Sequence, residues 1–514
     1  MKFYITTSIV YTNAAPHIGF ALELIQADIL ARYHRLKGDD VYYLTGTDEN
    51  GVKNKKTAEK LGITPQQLVD ENSARVLELT KKLNVSNDDF IRTTDKKRHW
   101  PAVEKIWQTL NENDDLYKKE YEGLYCAGCE AFITKKDLDQ AGKCRLHNAL
   151  PEKIKEENYF FRLSKYGDQI KKLIESDELK IIPEVRKKEL LALIKEGVQD
   201  VSFSRPSSSL NWGIPVPSDP SQTIYVWADA LSNYISALGF GSQDEKLFKQ
   251  YWPADIHLIG KDILRFHALI WPGILFSAKL LPPKGILVHG FISSGGQKMS
   301  KTLGNVIDPF EIIKKYGVDA LRYYLSREIP TTGDGDFTWE KFNERYDADL
   351  ASGLGNLVAR TFKMVEKYCD GKIPQISQNP DTHPLRIDEK IYNWKKTWQD
   401  VDENIAHFKF NEALFSIWQF IAEANKYIDQ TEPWALAENG KQEELNWALY
   451  GVLDAIHQLA WQIYIFMPET SLKIAKALSI KGLLAKKPQY KDSWTNLKSG
   501  TALKSIDPLF PRIE

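Results

Sequence analysis

Strand, turn, helix and strand follow one another between Lys2 and Leu44, and that order restricts the fold more than any other feature of the chain. Lys2 to Val10 is a β-branched and aromatic run that suits a buried strand. Gly19 to Leu36 carries apolar residues at helical spacing and closes on Gly38, after which Val41-Tyr42-Tyr43-Leu44 forms a second short apolar run. Such a βαβ unit implies a parallel sheet with right-handed crossovers, and sheets of this kind bind ligands at the carboxyl ends of their strands. Tyr11 to Phe20 and Thr45 to Gly51 are therefore expected on one side of the sheet.

The pattern is interrupted and then resumed. From Gly123 to Pro151 the periodicity gives way to a Cys/His cluster, and β/α alternation returns with Thr223 to Trp227, Ile256 to Ile259 and Gly285 to His289. Thr64-Pro65-Gln66-Gln67 reads as a cap, a proline at the first helical position and a capping-box glutamine, opening a helix that runs to Leu83. After Phe342 the character changes to long amphipathic patterns, at Ala348 to Tyr368, Ile391 to Ile405, Asn411 to Asp429 and Glu443 to Phe466, which predict a helical bundle. The last stretch, from Lys486 to Glu514, has little periodicity, and Trp494 and Phe510 favour a docked extended segment over a disordered one.

Composition narrows the partners. At roughly 100–200 residues per domain, 514 residues form about three domains. With 68 basic against 69 acidic residues the chain has no wholesale polybasic coat, so any nucleic-acid contact must come from local patches. The start Met1-Lys2-Phe3-Tyr4 does not read as a signal peptide. The longest uncharged apolar stretches, Phe266 to Ala278 and Ala455 to Met467, fall short of the roughly 18 residues a membrane span needs. A cytoplasmic protein without a membrane partner is expected.

Three segments carry chemistry. Ala15-Pro16-His17-Ile18-Gly19-Phe20 lies between a strand end and a helix start, where free N–H groups and the helix dipole favour anions; taken alone, the same turn also arises from packing. Gly295-Gly296-Gln297-Lys298-Met299-Ser300-Lys301-Thr302-Leu303-Gly304-Asn305 places two lysines three apart in a Gly-flanked loop. That is either a solvated basic loop or a pair of cations for a polyphosphate, and no Walker-type loop is present. Cys126-x2-Cys129 and Cys144-x2-His147 form two knuckles with the spacing of a tetrahedral zinc site, which favours a closed, structural Zn2+ over free thiols; Cys369 stands alone and reads as core.

His17-Ile18-Gly19 together with Lys298-Met299-Ser300-Lys301 resembles the paired signature motifs of class I aminoacyl-tRNA synthetases. Thr45-Gly46-Thr47-Asp48-Glu49-Asn50-Gly51, Tyr225-Val226-Trp227-Ala228-Asp229-Ala230, Ile259-Gly260-Lys261-Asp262-Ile263, Phe266-His267 and Val288-His289-Gly290 extend the resemblance, specifically to methionyl-tRNA synthetases, over nearly the whole chain. The fold this implies is α/β. A Rossmann-like parallel-sheet catalytic domain (1–115 and 223–290) is split by a zinc-binding insertion (116–222). It is followed by a lysine-loop and stem-contact region (291–345), an α-helical anticodon-binding bundle (346–485) and a tail docking back (486–514).

The resemblance also implies roles. The reaction would be ATP-dependent activation of L-methionine and transfer to initiator and elongator tRNA(Met), with Mg2+ accompanying ATP. His17, Lys298, Lys301 and Arg205 would serve catalysis. His17, Gly19, Gly260, Asp262, His289, Lys298, Met299 and Lys301 would hold the nucleotide. Asp48 would bind the methionine ammonium, and Ile9, Tyr11, Trp227, Ala230, Leu231, Tyr234, Ile263 and His267 would enclose the thioether, whose lack of charge leaves shape and soft aromatic contacts to discriminate it. Asn356, Arg360 and Trp434 would read the anticodon. The four knuckle residues match the one-zinc bacterial type.

Two positions depart from the family pattern. Phe20 occupies the place of the usual second histidine and cannot donate to phosphate, and Thr302 replaces a serine while keeping the hydroxyl. Nothing up to Glu514 resembles the carboxy-terminal oligonucleotide-binding domain through which some relatives dimerise, so a monomer is expected. The alternatives are another class I synthetase, for cysteine or a branched-chain amino acid, and a catalytically inert RNA-binding relative. The editing insertion of the branched-chain enzymes has no room here, and intact Lys298 and Lys301 argue against inertness.

Overall fold

The computed structural model describes residues 1–126, 128, 131–133, 135–145, 148–299, 304–376, 394–491 and 497–512. Its centre is a seven-stranded sheet in which every pairing is parallel. The first four strands are β1 (Lys2–Thr7), β2 (Val10–Tyr11), β3 (Asp40–Asp48) and β4 (Asp89–Arg92). β3 lies between β1 and β2 and also pairs with β4; on the other side β1 is followed by Ile256–Gly260, Gly285–His289 and Lys180–Ile182. The chain therefore runs outward in both directions from β1, and the switch point lies between β1 and Ile256–Gly260. A ligand crevice belongs outside the carboxyl ends of strands at such a point.

Both faces of the sheet are covered, as alternation along β1 shows. Phe3 and Ile5 enter one core with the helix α1 (Ile18–Leu36) and the carboxy-terminal helices, whereas Tyr4 enters a second core with Trp227, Tyr234 and Trp271. α1 is buried on nearly all sides, which explains an apolar run too broad for a surface helix. The capping box at Thr64 forms in both directions, with the Gln67 N–H donating to Thr64 Oγ1 at 3.2 Å and the Thr64 N–H to Gln67 Oε1 at 3.0 Å.

Two expectations are corrected. Lys180–Ile182 falls within 116–222, expected to be insertion, yet it pairs with Gly285–His289 as an edge strand of the central sheet; three residues are too few to show a period. Thr223 to Trp227 is not a strand of that sheet. Asp219–Ile224 pairs antiparallel with Ser204–Pro206 and Pro215–Val216 in a separate three-stranded sheet, and Val226–Ala230 is helical. The inserted segment itself is built on the long hairpin Leu116–Cys126 and Glu152–Phe161, flanked by Ala131–Ile133 and Val201–Ser202.

The carboxy-terminal region is helical at Asn356–Tyr368, Trp394–Ala406, Phe410–Thr431, Gln442–Ile463 and Pro468–Leu478. Its tail packs back: the Phe510 ring meets Tyr346 edge-on at 6.1 Å, the Tyr346 hydroxyl donates to the Pro511 carbonyl at 2.8 Å, and the Tyr450 hydroxyl to that of Leu497 at 3.0 Å. Trp494 lies outside the described residues. Beneath this region Arg322, fully buried, donates to Asp28 on α1 at 2.7 Å and to the Phe466 carbonyl at 2.7 Å, tying the sheet domain to the bundle.

Candidate active site

One end of the site is the start of α1, whose free N–H groups suit an anion. His17 is the N-cap, and its Nδ1 accepts the Gly19 N–H at 3.0 Å, which puts the ring proton on Nε2 and makes that nitrogen a donor. A Cβ on Gly19 would stand 2.9 Å from His17 Cε1, so only glycine lets the ring fold over the helix end. No acidic residue occupies the first turn, which keeps the positive end of the helix dipole uncompensated. The Ile18 N–H donates to the Ile307 carbonyl at 3.2 Å, bringing the far side of the lysine loop against this helix start. The near side is the strand Gln297–Lys298, paired with Ile292–Ser294, and Met299 packs against the core. Ser300, Lys301, Thr302 and the Lys298 side chain lie outside the described residues.

Phe20 turns away from this end. It is buried at 5% exposure within the core that α1 shares with the bundle, so this position contributes packing.

A second group converges where the strands Ile256–Gly260 and Gly285–His289 end. Asp262 follows Gly260 in a short 3-10 turn, and a Cβ on Gly260 would lie 2.8 Å from Asp262 Oδ1 and 3.7 Å from His289 Nε2. A side chain at Gly260 would crowd the Asp262 carboxylate where it stands. His289 donates through Nδ1 to the Gly290 carbonyl at 2.8 Å and pairs through Nε2 with Glu23 at 3.0 Å. Burial alone would push its imidazole down, but Glu23, the Gly290 carbonyl and Asp262 together raise it above its ordinary value. Glu23 also accepts from the Ser8 N–H and hydroxyl at 2.6 and 2.7 Å, locking the end of β1 to α1. Sequence reasoning did not single out Glu23; its signal was a carboxylate in the mostly apolar first half of a helix that is buried on nearly all sides.

The pocket side is dominated by aromatic rings. Trp227 stacks on Phe266 with centroids 3.7 Å apart and planes at 6°. His267 donates through Nδ1 to the Ile263 carbonyl at 3.0 Å, so its Nε2 accepts the Tyr234 hydroxyl at 2.7 Å, and burial lowers its pKa to about 4. His267 is thus a neutral wall at physiological pH. Ala230 and Leu231 are buried beside Trp227, while Ile9, Tyr11 and Ile263 pack partly buried against the same core. Asp48, also buried, ends β3 opposite Tyr11 in strand register.

The helix carrying Trp227 is pinned by a network that sequence reasoning also missed. The Asn50 amide donates to Asp229 at 2.7 Å, and Asp229 pairs with buried His99 at 2.6 Å. Lys53 sits 4.4 Å over the Tyr11 ring and donates to the Gly128 carbonyl at 3.2 Å, which links the pocket to the knuckle segment.

Arg205 is buried rather than presented to solvent. Its guanidinium donates to Ser202 Oγ at 2.7 Å and lies among the rings of Tyr125, Phe132 and Tyr225 at 4.8–5.1 Å. Of the knuckle residues, Cys129 and His147 lie outside the described residues. Cys126 and Cys144 are buried thiols, and the turn after Cys144 is closed by the Asn148 N–H on the Cys144 carbonyl at 2.7 Å and the Cys144 N–H on the Ala149 carbonyl at 2.8 Å. Two buried thiols in a turn-rich segment suit a soft-ligand metal site.

In the bundle, Asn356 and Arg360 are one helical turn apart on Asn356–Tyr368. Arg360 pairs with Asp429 at 2.7 Å and lies 5.2 Å over the Trp434 ring. The three residues expected to read unpaired bases therefore belong to one surface.

Residues 3–144 and 135–362 match the family described as tRNA synthetases class I (M). Methionine–tRNA ligase of Caldanaerobacter subterraneus subsp. tengcongensis is 44% identical over 514 residues, covering all of this chain and 79% of the relative. That of Brucella suis biovar 1 is 41% identical over 515 residues, covering 99% and 98%. Among solved structures, Mycobacterium tuberculosis methionyl-tRNA synthetase in complex with methionyl-adenylate superposes with a TM-score of 0.93 at 36% identity, covering 99% of this chain and all of that one. Its apo form gives 0.85 at 34%, covering 100% and 98%. With family match, full-length identity and superposition in agreement, the chain belongs to the methionyl-tRNA synthetases of class I.

Proposed function

We propose that the chain is a methionine–tRNA ligase that activates L-methionine with ATP to methionyl-adenylate and transfers methionine to the 3′ end of initiator and elongator tRNA(Met). The observation that carries this reading is the pairing of a neutral aromatic pocket, Trp227, Tyr234 and His267, with a phosphate-facing helix start at His17. A carboxylate oxygen of methionine attacks the α-phosphorus, the bond to the β-phosphate breaks, and pyrophosphate leaves. The nucleophile is already ionised, so positioning and charge neutralisation do the catalysis. His17, Lys298 and Lys301 neutralise the phosphates, Gly260, Asp262 and His289 hold the nucleoside end, Asp48 takes the ammonium, and Arg205 supports the substrate side. Asn356, Arg360 and Trp434 read the anticodon. Mg2+ arrives with ATP, since it favours phosphate and water oxygens over a protein cage.

Methionine-dependent ATP–pyrophosphate exchange tests the assignment. Exchange with methionine, and none of comparable rate with cysteine, isoleucine, leucine or valine, is expected; exchange faster with any of these would overturn it. Cys126, Cys129, Cys144 and His147 would hold one structural Zn2+, which stabilises the insertion without taking part in the reaction. Metal analysis of protein purified without chelator is expected to give about one zinc per chain; well under half that amount would reject the knuckle reading.

A further inference from the structure

We propose that His99 is a positioning residue for methionine: from behind the pocket it holds in register the three elements that carry the expected methionine contacts, and so sets the affinity for the amino acid. The proposal rests on the methionine-activating reading above and adds to it a residue that does not itself touch substrate. His99 is fully buried, and both of its ring nitrogens are engaged. Asp229, whose carboxylate only accepts, takes the His99 Nε2–H on Oδ1 at 2.6 Å and the Asn50 amide on Oδ2 at 2.7 Å. At the other edge of the ring, Nδ1 meets the Ser236 hydroxyl at 2.8 Å. Asn50, Asp229 and Ser236 each stand two positions past a residue expected to touch methionine, namely Asp48, Trp227 and Tyr234. The ammonium partner, the stacked indole and the tyrosine bonded to His267 are thus all tied to one imidazole.

Chain order explains why such a tie is needed. His99 immediately precedes the helix Trp100–Glu112, and its side chain makes no cap bond there, so the ring is given over to the network. That helix belongs to the sheet domain before the insertion, whereas Asp229 and Ser236 come after it, on Val226–Ala230 and Asn233–Ser236. Helices of five and four residues do not hold a position by their own hydrogen bonds, so these two stand where their partners place them. The loop after Asp48 is fixed from the same side, the Glu49 N–H donating to Thr93 Oγ1 at 2.9 Å. A buried polar network with its partners in place rigidifies one arrangement, and here that arrangement is the spacing of the pocket walls. Methionine offers its pocket no side-chain charge, so wall placement decides how well it is held. The nucleotide side stands on other supports, His289 on Glu23 and His17 on the start of α1.

The test is His99→Ala, assayed by pyrophosphate exchange below its melting transition with methionine and ATP varied in turn. KM for methionine is expected to rise by about 10- to 100-fold, the upper end being what a misplacement of ~1 Å costs. KM for ATP is expected to stay within about twofold, a split that general loosening of the domain would not produce. His99→Gln, whose amide can still donate to Asp229, is expected to recover most of the loss. A KM for methionine within about twofold of the unsubstituted chain, with only the melting midpoint lowered, overturns the proposal, and so does an equal rise in both KM values. If His99→Ala does not fold, Ser236→Ala combined with Asn50→Ala removes two of the three ties and is read in the same way, with a rise of about 3- to 10-fold expected for methionine alone. The unsubstituted chain separates the two levels. Absence of methionine-dependent exchange there fails the methionine reading itself, whereas normal exchange there with an unmoved KM in the variants fails only the role of His99.

Discussion

Replacing His17 with alanine is expected to lower methionine-dependent pyrophosphate exchange by about 10²–10³-fold, the range for removing one preorganised donor from a developing charge. His17 is exposed, and its Nδ1 caps the helix start by accepting the Gly19 N–H. Its removal therefore costs about 1 kcal/mol of helix capping and moves the melting midpoint by only a few degrees. Phe20→Ala is expected to give the opposite pattern. Emptying a buried phenylalanine site costs about 3–5 kcal/mol, yet Phe20 faces the core and touches no phosphate, so exchange measured well below the lowered melting point stays within several-fold. Exchange rates and thermal melts on both variants decide the matter. A larger rate loss in folded Phe20→Ala than in His17→Ala would show that phosphate handling has not moved to His17 and the lysines.

This contrast also measures how far the sequence was legible. The βαβ start, the Thr64 cap and the amphipathic helices were readable because each signal is local: a period, a cap or a turn residue. Lys180–Ile182 was not, since three residues carry no period and its partner lies a hundred positions downstream at Gly285–His289. Thr223 to Trp227 misled because a β-branched and aromatic run suits an antiparallel edge or a short buried helix as well as a central strand. At the site, the motifs marked His17, Asp48, Gly260 and His289, but the pairing of His289 with Glu23 and of His99 with Asp229 brings together residues 266 and 130 positions apart. No spacing rule reaches that far. Burial likewise separated His17 from Phe20, three positions apart on one helix, where the motif alone left the function of the second position open.

Arg322→Met is expected to cost about 3–5 kcal/mol of stability, because it breaks a buried charge cluster and leaves its partners in place. Arg322 and Asp28 are both fully buried. The guanidinium donates to Asp28 at 2.7 Å and to the carbonyls of Phe466, Leu83 and Ile465 at 2.7, 3.0 and 3.2 Å. Without it, three carbonyls lose a donor and Asp28 retains Arg32 at 2.8 Å and the Ser86 N–H and hydroxyl at 2.7 and 2.6 Å. Burial alone would push the Asp28 carboxyl up, but Arg32, Arg322 and Ser86 outweigh it and bring it down to about 2. A carboxyl held below its unfolded value of about 3.9 adds stability above that pH, and the contribution, about 2 kcal/mol, is lost as pH falls from about 4 towards 2. Chemical denaturation at pH 7 and at pH 3 should therefore show a smaller acid loss in Arg322→Met than in the unsubstituted chain. Because Asp28 lies on the same helix as Glu23, the helix that His17 caps, while Phe466 follows the bundle helix Gln442–Ile463, the cluster joins the parallel-sheet domain to the carboxy-terminal helical bundle. Its loss is expected to lower aminoacylation more than pyrophosphate exchange when both are measured below the melting transition. A stability loss under about 1 kcal/mol, with both reactions equally affected, would mean that the cluster is not what holds the two regions in register.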